Sequence, residues 1–199
     1  MIEVHKARPD EFGQAAALLH HSAADMYDRF AGGRERALRV LERSLDEPDN
    51  ASSAEVVWVA LVDGRVAGAM AAFPVDEAPG RARAFLRLAL RTAPPWRWPV
   101  ALYLYWAGGR AAPSPPVPAL YIDALATDPE LRRRGAARAL LAAAGREARA
   151  RGLPAVALDT TIANEPARRL YASEGFDEVA YRPPGRGLPG FVALVKPLD

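Results

Sequence analysis

One segment, residues 128–141, joins the end of an apolar, strand-like run to the start of an alanine- and leucine-rich helix. Asp128-Pro129 ends the strand, and the helix continues from Ala137. The N-terminus of a helix carries backbone N–H groups without intrahelical partners and the positive end of the helix dipole, so it attracts anions. Gly135 has no Cβ, which allows a bulky ligand to approach the backbone closely. The segment therefore predicts a diphosphate-binding loop between a strand and a helix.

The loop also contains three consecutive arginines, Arg132, Arg133 and Arg134. Positive charge at a helix N-terminus opposes the helix dipole, so this run is unfavourable as a simple solvated helix start. A bound polyanion would make the same charges favourable. Ala136 and Ala137 are small and keep the approach to the backbone open. We therefore expect these arginines to lie beside a diphosphate, the alternative being a solvated helix start.

Two motifs in this order carry a family resemblance. The first is the loop just described, with the pattern Arg132-x-x-Gly135-x-Ala137. The second lies downstream, with the pattern Asn164-x-x-Ala167-x-x-Leu170-Tyr171-x-x-x-Gly175-Phe176. They resemble two elements of the GNAT superfamily of N-acetyltransferases, the first of which is its acetyl-CoA signature. The close resemblance covers residues 120–176.

The resemblance implies an α/β fold with a mixed, mostly antiparallel sheet of about seven strands flanked by helices. The residue pattern supports parts of this fold directly. Asp63-Gly64 supplies the positive φ angles of a tight turn between two strand-like runs, which predicts a β-hairpin. Helices are predicted from Pro9 onward and over Arg34–Leu45, and a buried strand over Pro154–Leu158. We expect one domain over residues 1–199, with an insert before the fourth strand.

The insert, residues 74–118, links two strands that ordinarily need a far shorter connection. Apolar spacing predicts helices over Ala82–Leu90 and Val100–Trp106, followed by a proline-rich return over Ala111–Pro118. Three roles are open for this hairpin. It buries its aromatic side chains on the domain, it forms a wall of the acceptor site, or it presents a dimer or membrane surface. The aromatic residues concerned are Trp96, Trp98, Tyr103, Tyr105 and Trp106.

The resemblance implies how acetyl-CoA is held. Backbone N–H groups from Arg133 to Arg138 contact the diphosphate, and the strand before the loop separates from the next strand to pair with the pantetheine arm. A backbone N–H near Leu125 stabilises the oxyanion. Asn164 is a helix N-cap from its type and position, and the resemblance adds a hydrogen bond to CoA. The predicted acetyl-CoA contacts are Leu125, Ala126, Thr127, Arg132, Arg133, Arg134, Gly135, Ala136, Ala137, Arg138, Asn164 and Tyr171.

Tyr171 and Asp123 are the candidate catalytic residues. The resemblance implies that Tyr171 protonates the leaving thiolate, and the alternative is a core tyrosine. Asp123 lies two residues before Leu125, so alternation predicts that both side chains project from one face and that Asp123 is the general base. The alternative is an aspartate paired with an arginine. His20 and His21 are more typical of surface histidines.

Composition excludes several classes of function. The absence of Cys removes disulfides and a thiol nucleophile, and no His, Asp and Glu cluster has metal-ligand spacing, so no metal is expected. A net charge of +2 does not indicate nucleic-acid binding. No apolar run spans a membrane and no signal peptide is visible, which predicts a cytoplasmic protein. The abundance of alanine, arginine and proline is typical of a GC-rich bacterial genome.

The function implied by the resemblance is direct acetyl transfer from acetyl-CoA to the amine of a small-molecule acceptor. One alternative is a peptide or protein N-terminal acetyltransferase. A second is a CoA-binding regulatory module without turnover. Either a monomer or a homodimer is compatible with the sequence.

Overall fold

The computed structural model describes residues 1–111, 113–115, 118–185 and 188–198. In this part of the chain, seven β-strands form one sheet and seven α-helices lie against it. The strands are β1 (Ile2–Lys6), β2 (Val57–Val62), β3 (Arg65–Pro74), β4 (Leu120–Thr127), β5 (Ala155–Thr161), β6 (Asp177–Arg182) and β7 (Phe191–Pro197). The helices are α1 (Phe12–Ser22), α2 (Ala24–Ala31), α3 (Arg34–Asp46), α4 (Ala78–Thr92), α5 (Trp98–Ala111), α6 (Ala136–Ala150) and α7 (Glu165–Ser173). The predicted fold class is confirmed.

The sheet has the strand order β1-β2-β3-β4-β5-β7-β6. Each neighbouring pair of these strands is antiparallel except β4 and β5, which run parallel. The β4–β5 ladder ends at the pair Ile122–Leu158, although β4 continues to Thr127 and β5 to Thr161. The two strands therefore separate at their C-terminal ends, and the facing edges of the described strands have no ladder partner beyond that pair.

Helices cover both faces of the sheet because the strands are apolar on both sides. β3 is buried along nearly its whole length, as expected for a central strand. One hydrophobic cluster lies on the α6 and α7 side, and a second lies on the α1 and α3 side. Representative buried residues are Ile122, Leu140, Leu158 and Phe176 in the first, and Leu19, Leu41, Val57 and Val59 in the second.

A β-bulge interrupts β4 at Asp123. Pairing with β3 shifts by one residue between Ile122 and Ala124, which leaves Asp123 as the extra residue. Leu125 packs against the α6-side cluster, whereas Ala124 belongs to the α1-side cluster. The expectation that Asp123 and Leu125 project from one face is therefore wrong, because it assumes an uninterrupted period of two.

Several predicted elements are confirmed, and two differ. Asp63 and Gly64 both have positive φ angles, 51° and 76°, as a tight hairpin turn requires. The sequence pattern does not predict α2. The break between α1 and α2 falls at Ala23, which is neither Gly nor Pro, so no residue type marks it. Strand β5 continues three residues past Leu158, through polar Asp159 and two threonines that the apolar pattern does not indicate.

The insert folds as the predicted pair of helices. α4 contains the predicted span Ala82–Leu90 and α5 contains Val100–Trp106. Part of the proline-rich return lies outside the described residues. The expectation that the hairpin buries its aromatic side chains is wrong for most of them, because Trp96, Trp98 and other large side chains remain exposed. Across the described helices, none is long and apolar enough to cross a membrane.

Candidate active site

The loop before α6 has the geometry of an anion cradle. Gly135 is the N-cap of α6 with φ +87°, and no side chain caps the helix there. Arg133 also has a positive φ of 62°, which is uncommon for a residue with a Cβ and marks a tightly turned backbone. The first backbone bond into the helix runs from Ala139 N–H to the Gly135 carbonyl. The N–H groups of Ala136, Ala137 and Arg138 therefore lie at the N-terminus of the helix, where an anion would accept hydrogen bonds from them.

Three of the predicted arginines contact neighbouring parts of the protein. Arg132 Nη2 lies 3.3 Å from His21 Nε2 at the end of α1. Arg134 lies 3.8 Å from Asp63 in the β2–β3 turn. Arg138 Nε donates to Glu174 at 2.8 Å, joining α6 to the end of α7. These exposed contacts hold the loop in place, while the guanidinium groups keep the surroundings of the cradle positive.

The gap between β4 and β5 lies directly before this loop. Leu125, Ala126 and Thr127 lie on the part of β4 that pairs with β3 on one side only. Asn164 is the N-cap of α7 at the other side of the gap, as predicted. Its Oδ1 accepts from Ala167 N–H at 3.4 Å, and its Nδ2 donates to Thr160 Oγ1 of β5 at 3.1 Å. An extended amide-rich arm would therefore find an open strand edge between the two helix starts.

Two carboxylates face each other where the strands separate. Asp123 and Asp159 directly follow the last paired residues of β4 and β5. Tyr121, on β4, donates a short hydrogen bond from its hydroxyl to Asp159 Oδ2. Burial raises the pKa of Asp159, and this hydrogen bond opposes the rise. We call the point where β4 and β5 separate the fork. It combines Asp159, which accepts a hydrogen bond from Tyr121, with Asp123 beside it.

Asp123 has a strongly perturbed pKa. Burial, with a further contribution from the Asp159 charge, raises the pKa of Asp123 to about 7. The side chain is nevertheless exposed to solvent in the structure. The raised pKa therefore reflects the protein atoms packed around the carboxylate and the nearby Asp159 charge, and not enclosure of the side chain. The predicted alternative, an aspartate paired with an arginine, has no support, because in the described chain no arginine contributes to this shift.

Three tyrosines lie within electrostatic reach of the two carboxylates. Burial, and next the Asp123 charge, raises the pKa of Tyr27 on α2. Burial and the charges of Asp159 and Asp123 raise the pKa of Tyr121 far above its ordinary value. Burial, and next the Asp159 charge, raises the pKa of Tyr171 on α7 to about 12. All three hydroxyls therefore keep their protons at working pH.

Tyr171 is both a core residue and a site residue. Its ring is buried in the α6-side cluster and lies 5.8 Å from the Phe176 ring, centroid to centroid. The Asp159 charge also contributes to its raised pKa, so Tyr171 lies within electrostatic reach of that carboxylate. The core position of the ring is observed, and the role of the hydroxyl as a proton donor stays a prediction.

The helix α2 brings Tyr27 within electrostatic reach of Asp123. Tyr27 packs edge-on against Phe85 of the insert helix α4, with ring centroids 6.4 Å apart. His20 is buried, its Nε2 lying 2.7 Å from Asp28 Oδ1, so its expected surface position is wrong. The imidazole instead joins α1 to α2 and stacks on Tyr27 at 6.3 Å.

Sequence reasoning missed Asp159 and Tyr27 as site residues. Asp159 follows the predicted strand, so a parallel β4–β5 alignment would have placed it opposite Asp123. Tyr27 had no comparable signal, because its position depends on how α2 packs. Among the described residues, no group of three or more His, Cys, Asp or Glu could hold a metal ion.

Comparison with known proteins agrees with this geometry. The profile of the Acetyltransferase (GNAT) family matches residues 22–176. A comparison with curated proteins gives no match. A solved N-acetyltransferase from Staphylococcus aureus superposes with a TM-score of 0.74 at 21% identity, covering 97% of this chain and 99% of that one.

Other solved structures with this fold differ in the acceptor that they name. An agmatine N-acetyltransferase has a TM-score of 0.60 at 19% identity, covering 99% of both chains. The NatC complex bound to a Gag peptide and CoA has a TM-score of 0.58 at 14% identity, covering 100% of this chain and 99% of that one. The fold and the family profile together define an acetyltransferase. The chain belongs to the GNAT acetyltransferase family and is an acetyl-CoA-dependent N-acetyltransferase.

Proposed function

We propose that this enzyme acetylates a primary amine on a small cationic acceptor, using Asp123 as the general base. The observation that carries the proposal is the pair of carboxylates at the fork, Asp123 and Asp159, with tyrosines in electrostatic reach. No described arginine or lysine contributes to the shifted pKa values of these two aspartates and the three tyrosines near them. An ammonium group would supply the missing positive charge, and the tyrosine rings would contact the rest of a small molecule.

Asp123 fits the base because its pKa lies near the working pH. An acceptor arrives as an ammonium ion and must lose a proton before its nitrogen can attack. A carboxylate with a pKa of about 7 is ionised often enough to accept that proton and is more basic than an ordinary aspartate. Asp159, held by the Tyr121 hydroxyl, keeps negative charge beside it and attracts the cation.

Tyr171 fits the group that assists departure of the sulfur. Burial keeps its hydroxyl protonated over the whole working range, so it can donate a hydrogen bond or a proton to a developing thiolate. Because the pKa is about 12, an alkaline loss of activity from ionisation of this phenol is not expected in ordinary assays.

The donor is held by backbone groups that the fold leaves exposed. The α6 N-terminus at Gly135 and the surrounding arginines would bind the diphosphate, and the open edge of β4 from Leu125 to Thr127 would pair with the amide-rich arm. A backbone N–H near Leu125 would stabilise negative charge on the thioester oxygen. Bound acetyl-CoA supplies the activated acyl group, and the chain supplies position, charge and proton transfer.

The test is an acceptor screen that follows thiol release from acetyl-CoA. Monoamines, diamines, amino sugars and short peptides with free N-termini are compared at equal concentration. We expect the highest kcat/KM with a small acceptor that has a second positive charge. Asp123→Asn is expected to lower kcat/KM by at least about 10²-fold, whereas Asp177→Asn, on the outer strand β6, is the matched control. A preference for peptides, or an active Asp123→Asn enzyme, would contradict the proposal.

A further inference from the structure

The second helix of the insert presents an apolar face to solvent. Its buried side is formed by Ala101, Leu104 and Ala107, at helical spacing. The opposite side carries large exposed side chains, which are Trp98 (43%), Leu102 (47%), Tyr103 (47%) and Trp106 (43%). Trp96, just before the helix, is 76% exposed. We call these five residues the aromatic face. A contiguous surface of this kind indicates an interaction site, because scattered apolar residues would be unremarkable.

The sequence around the aromatic face is one-sided in charge. Residues 78–122 contain six arginines and no aspartate or glutamate, although the whole chain has nearly equal numbers of cations and anions. Arg83, Arg87 and Arg91 recur every four residues on α4 and are exposed, so they form a stripe along that helix. From residue 78 onward the two helices of the insert therefore combine exposed tryptophan, tyrosine and leucine with positively charged side chains, of which Arg91 also lies 4.0 Å from Glu47 of α3.

Specific contacts hold the aromatic face next to this stripe. Trp98 Nε1 donates to the Leu90 carbonyl at 3.1 Å, which places the start of α5 beside Arg91 at the end of α4. Arg97 Nη2 donates to the Arg29 carbonyl of α2 at 2.5 Å. Phe85 of α4 stacks on Phe30 of α2, with ring centroids 6.2 Å apart. The hairpin is thus a platform fixed to the domain.

We propose that the aromatic face docks on the surface of an anionic lipid bilayer. Tryptophan and tyrosine favour the region between headgroups and acyl chains, and arginines favour the phosphates of anionic lipids. With 14 residues, α5 is too short to span a bilayer and suits a helix that lies along its surface. The proposal does not depend on which amine is acetylated.

A second copy of the chain is a poorer occupant of the same face. The common symmetric dimer brings identical patches together, so the arginines of two hairpins would approach each other. Residues 78–122 offer no carboxylate that could pair with them. A bilayer rich in anionic headgroups supplies the complementary charge over the same area.

Vesicle co-sedimentation tests the proposal with the full chain. Vesicles of phosphatidylcholine with one quarter phosphatidylglycerol are compared with pure phosphatidylcholine at low and physiological salt. We expect binding to the anionic vesicles that weakens with salt, and a blue shift of tryptophan emission. Trp96→Gln with Leu102→Gln and Trp106→Gln is expected to lower the partition coefficient at least about 10-fold. Trp98 is kept because its indole N–H caps the end of α4.

Two matched variants separate the aromatic and electrostatic contributions. Val179→Gln with Tyr181→Gln removes exposed apolar residues of β6 (56% and 63% exposed) and should leave vesicle binding unchanged. Arg83→Gln with Arg87→Gln should weaken binding by roughly five-fold for each charge removed, on anionic vesicles only. The melting temperature shows that each variant is folded.

Three results would overturn the inference. One is a parent chain that does not bind anionic vesicles at low salt. Another is equal loss of binding in the β6 control. The third is a dimer, detected by light scattering, that the aromatic-face variant converts to monomer while vesicle binding stays unchanged, which would assign the face to a second copy.

Discussion

The pH dependence of acetyl transfer should report the coupling between the two aspartates at the fork. Asp159→Asn removes the neighbouring negative charge but keeps an oxygen that can accept from the Tyr121 hydroxyl. Burial is the larger cause of the raised pKa of Asp123, and the Asp159 charge is the smaller one. Removing the charge should therefore lower the pKa of Asp123 without returning it to the ordinary range of an aspartate.

The size of the effect follows from the two causes. The pKa of Asp123 is about 7, so at pH 5.5 only about 3% of the carboxylate is ionised. Below the pKa, each unit by which the pKa of Asp123 falls raises the ionised fraction by up to about ten-fold. Relative to its own plateau, the variant should therefore be more active than the parent at pH 5.5, by less than about ten-fold if the fall is under one unit.

The assay is kcat/KM for the best acceptor between pH 5 and 9, with saturating acetyl-CoA. The absolute plateau of the variant should fall, because one attractive charge for the ammonium group is lost. We call the fall of kcat/KM at low pH the acidic limb. Asp159→Glu keeps the negative charge and should leave the pH of this limb unchanged. Asp177→Asn on β6 is the control for a remote charge. An acidic limb that stays unmoved in Asp159→Asn, or that persists in Asp123→Asn, would refute the assignment of that limb to Asp123.

Three further outcomes are expected. Acetyl-CoA at a hundredfold excess over its Kd should stabilise the parent against thermal unfolding by roughly 2.7 kcal/mol. Gly135→Glu should abolish this stabilisation, and Gly135→Ala should retain more of it. Equal stabilisation of the parent and both variants would contradict the anion cradle. Tyr171→Phe should lower kcat by about 10²-fold with little change in CoA affinity, and a loss below about threefold with chemistry rate-limiting would exclude the acid role. Asp123→Asn should raise the melting temperature, because burial disfavours the ionised carboxylate in the folded state. Below the pKa of the unfolded chain, parent and variant should have similar melting temperatures. The difference should grow as the pH rises toward 7 and level off above the folded-state pKa of about 7. A gain that is independent of pH would contradict the raised pKa.

The sequence predicts the features of this fold that depend on local chemistry. The Asp63-Gly64 turn and the Asn164 cap each follow from one or two residues whose conformational preferences are strong. Gly135 is singled out in the sequence because it has no Cβ, and the structure adds that its φ is positive where the loop meets α6. The cofactor side of the site is built almost wholly from such local signals.

The acceptor side depends on packing and is less visible in the sequence. Tyr27 lies near Asp123 because α2 packs between α1 and the insert. No local sequence pattern specifies that arrangement. Asp159 becomes a site residue only through the parallel pairing of two strands that are separated along the chain. The bulge at Asp123 is also a property of pairing, because it depends on the register of β3.

That extra residue in β4 places the proposed base and Leu125 on opposite faces of the strand. In the proposed mechanism the strand therefore acts as a partition, with the base on one side and the residue beside the oxyanion contact on the other. Substitutions on α2 could then diversify the acceptor while the donor site is preserved. Deletion of Asp123 would restore regular pairing with β3 and leave Ile122, Ala124 and Leu125 on their present alternating faces, so it would remove the proposed base without exchanging the faces of its neighbours.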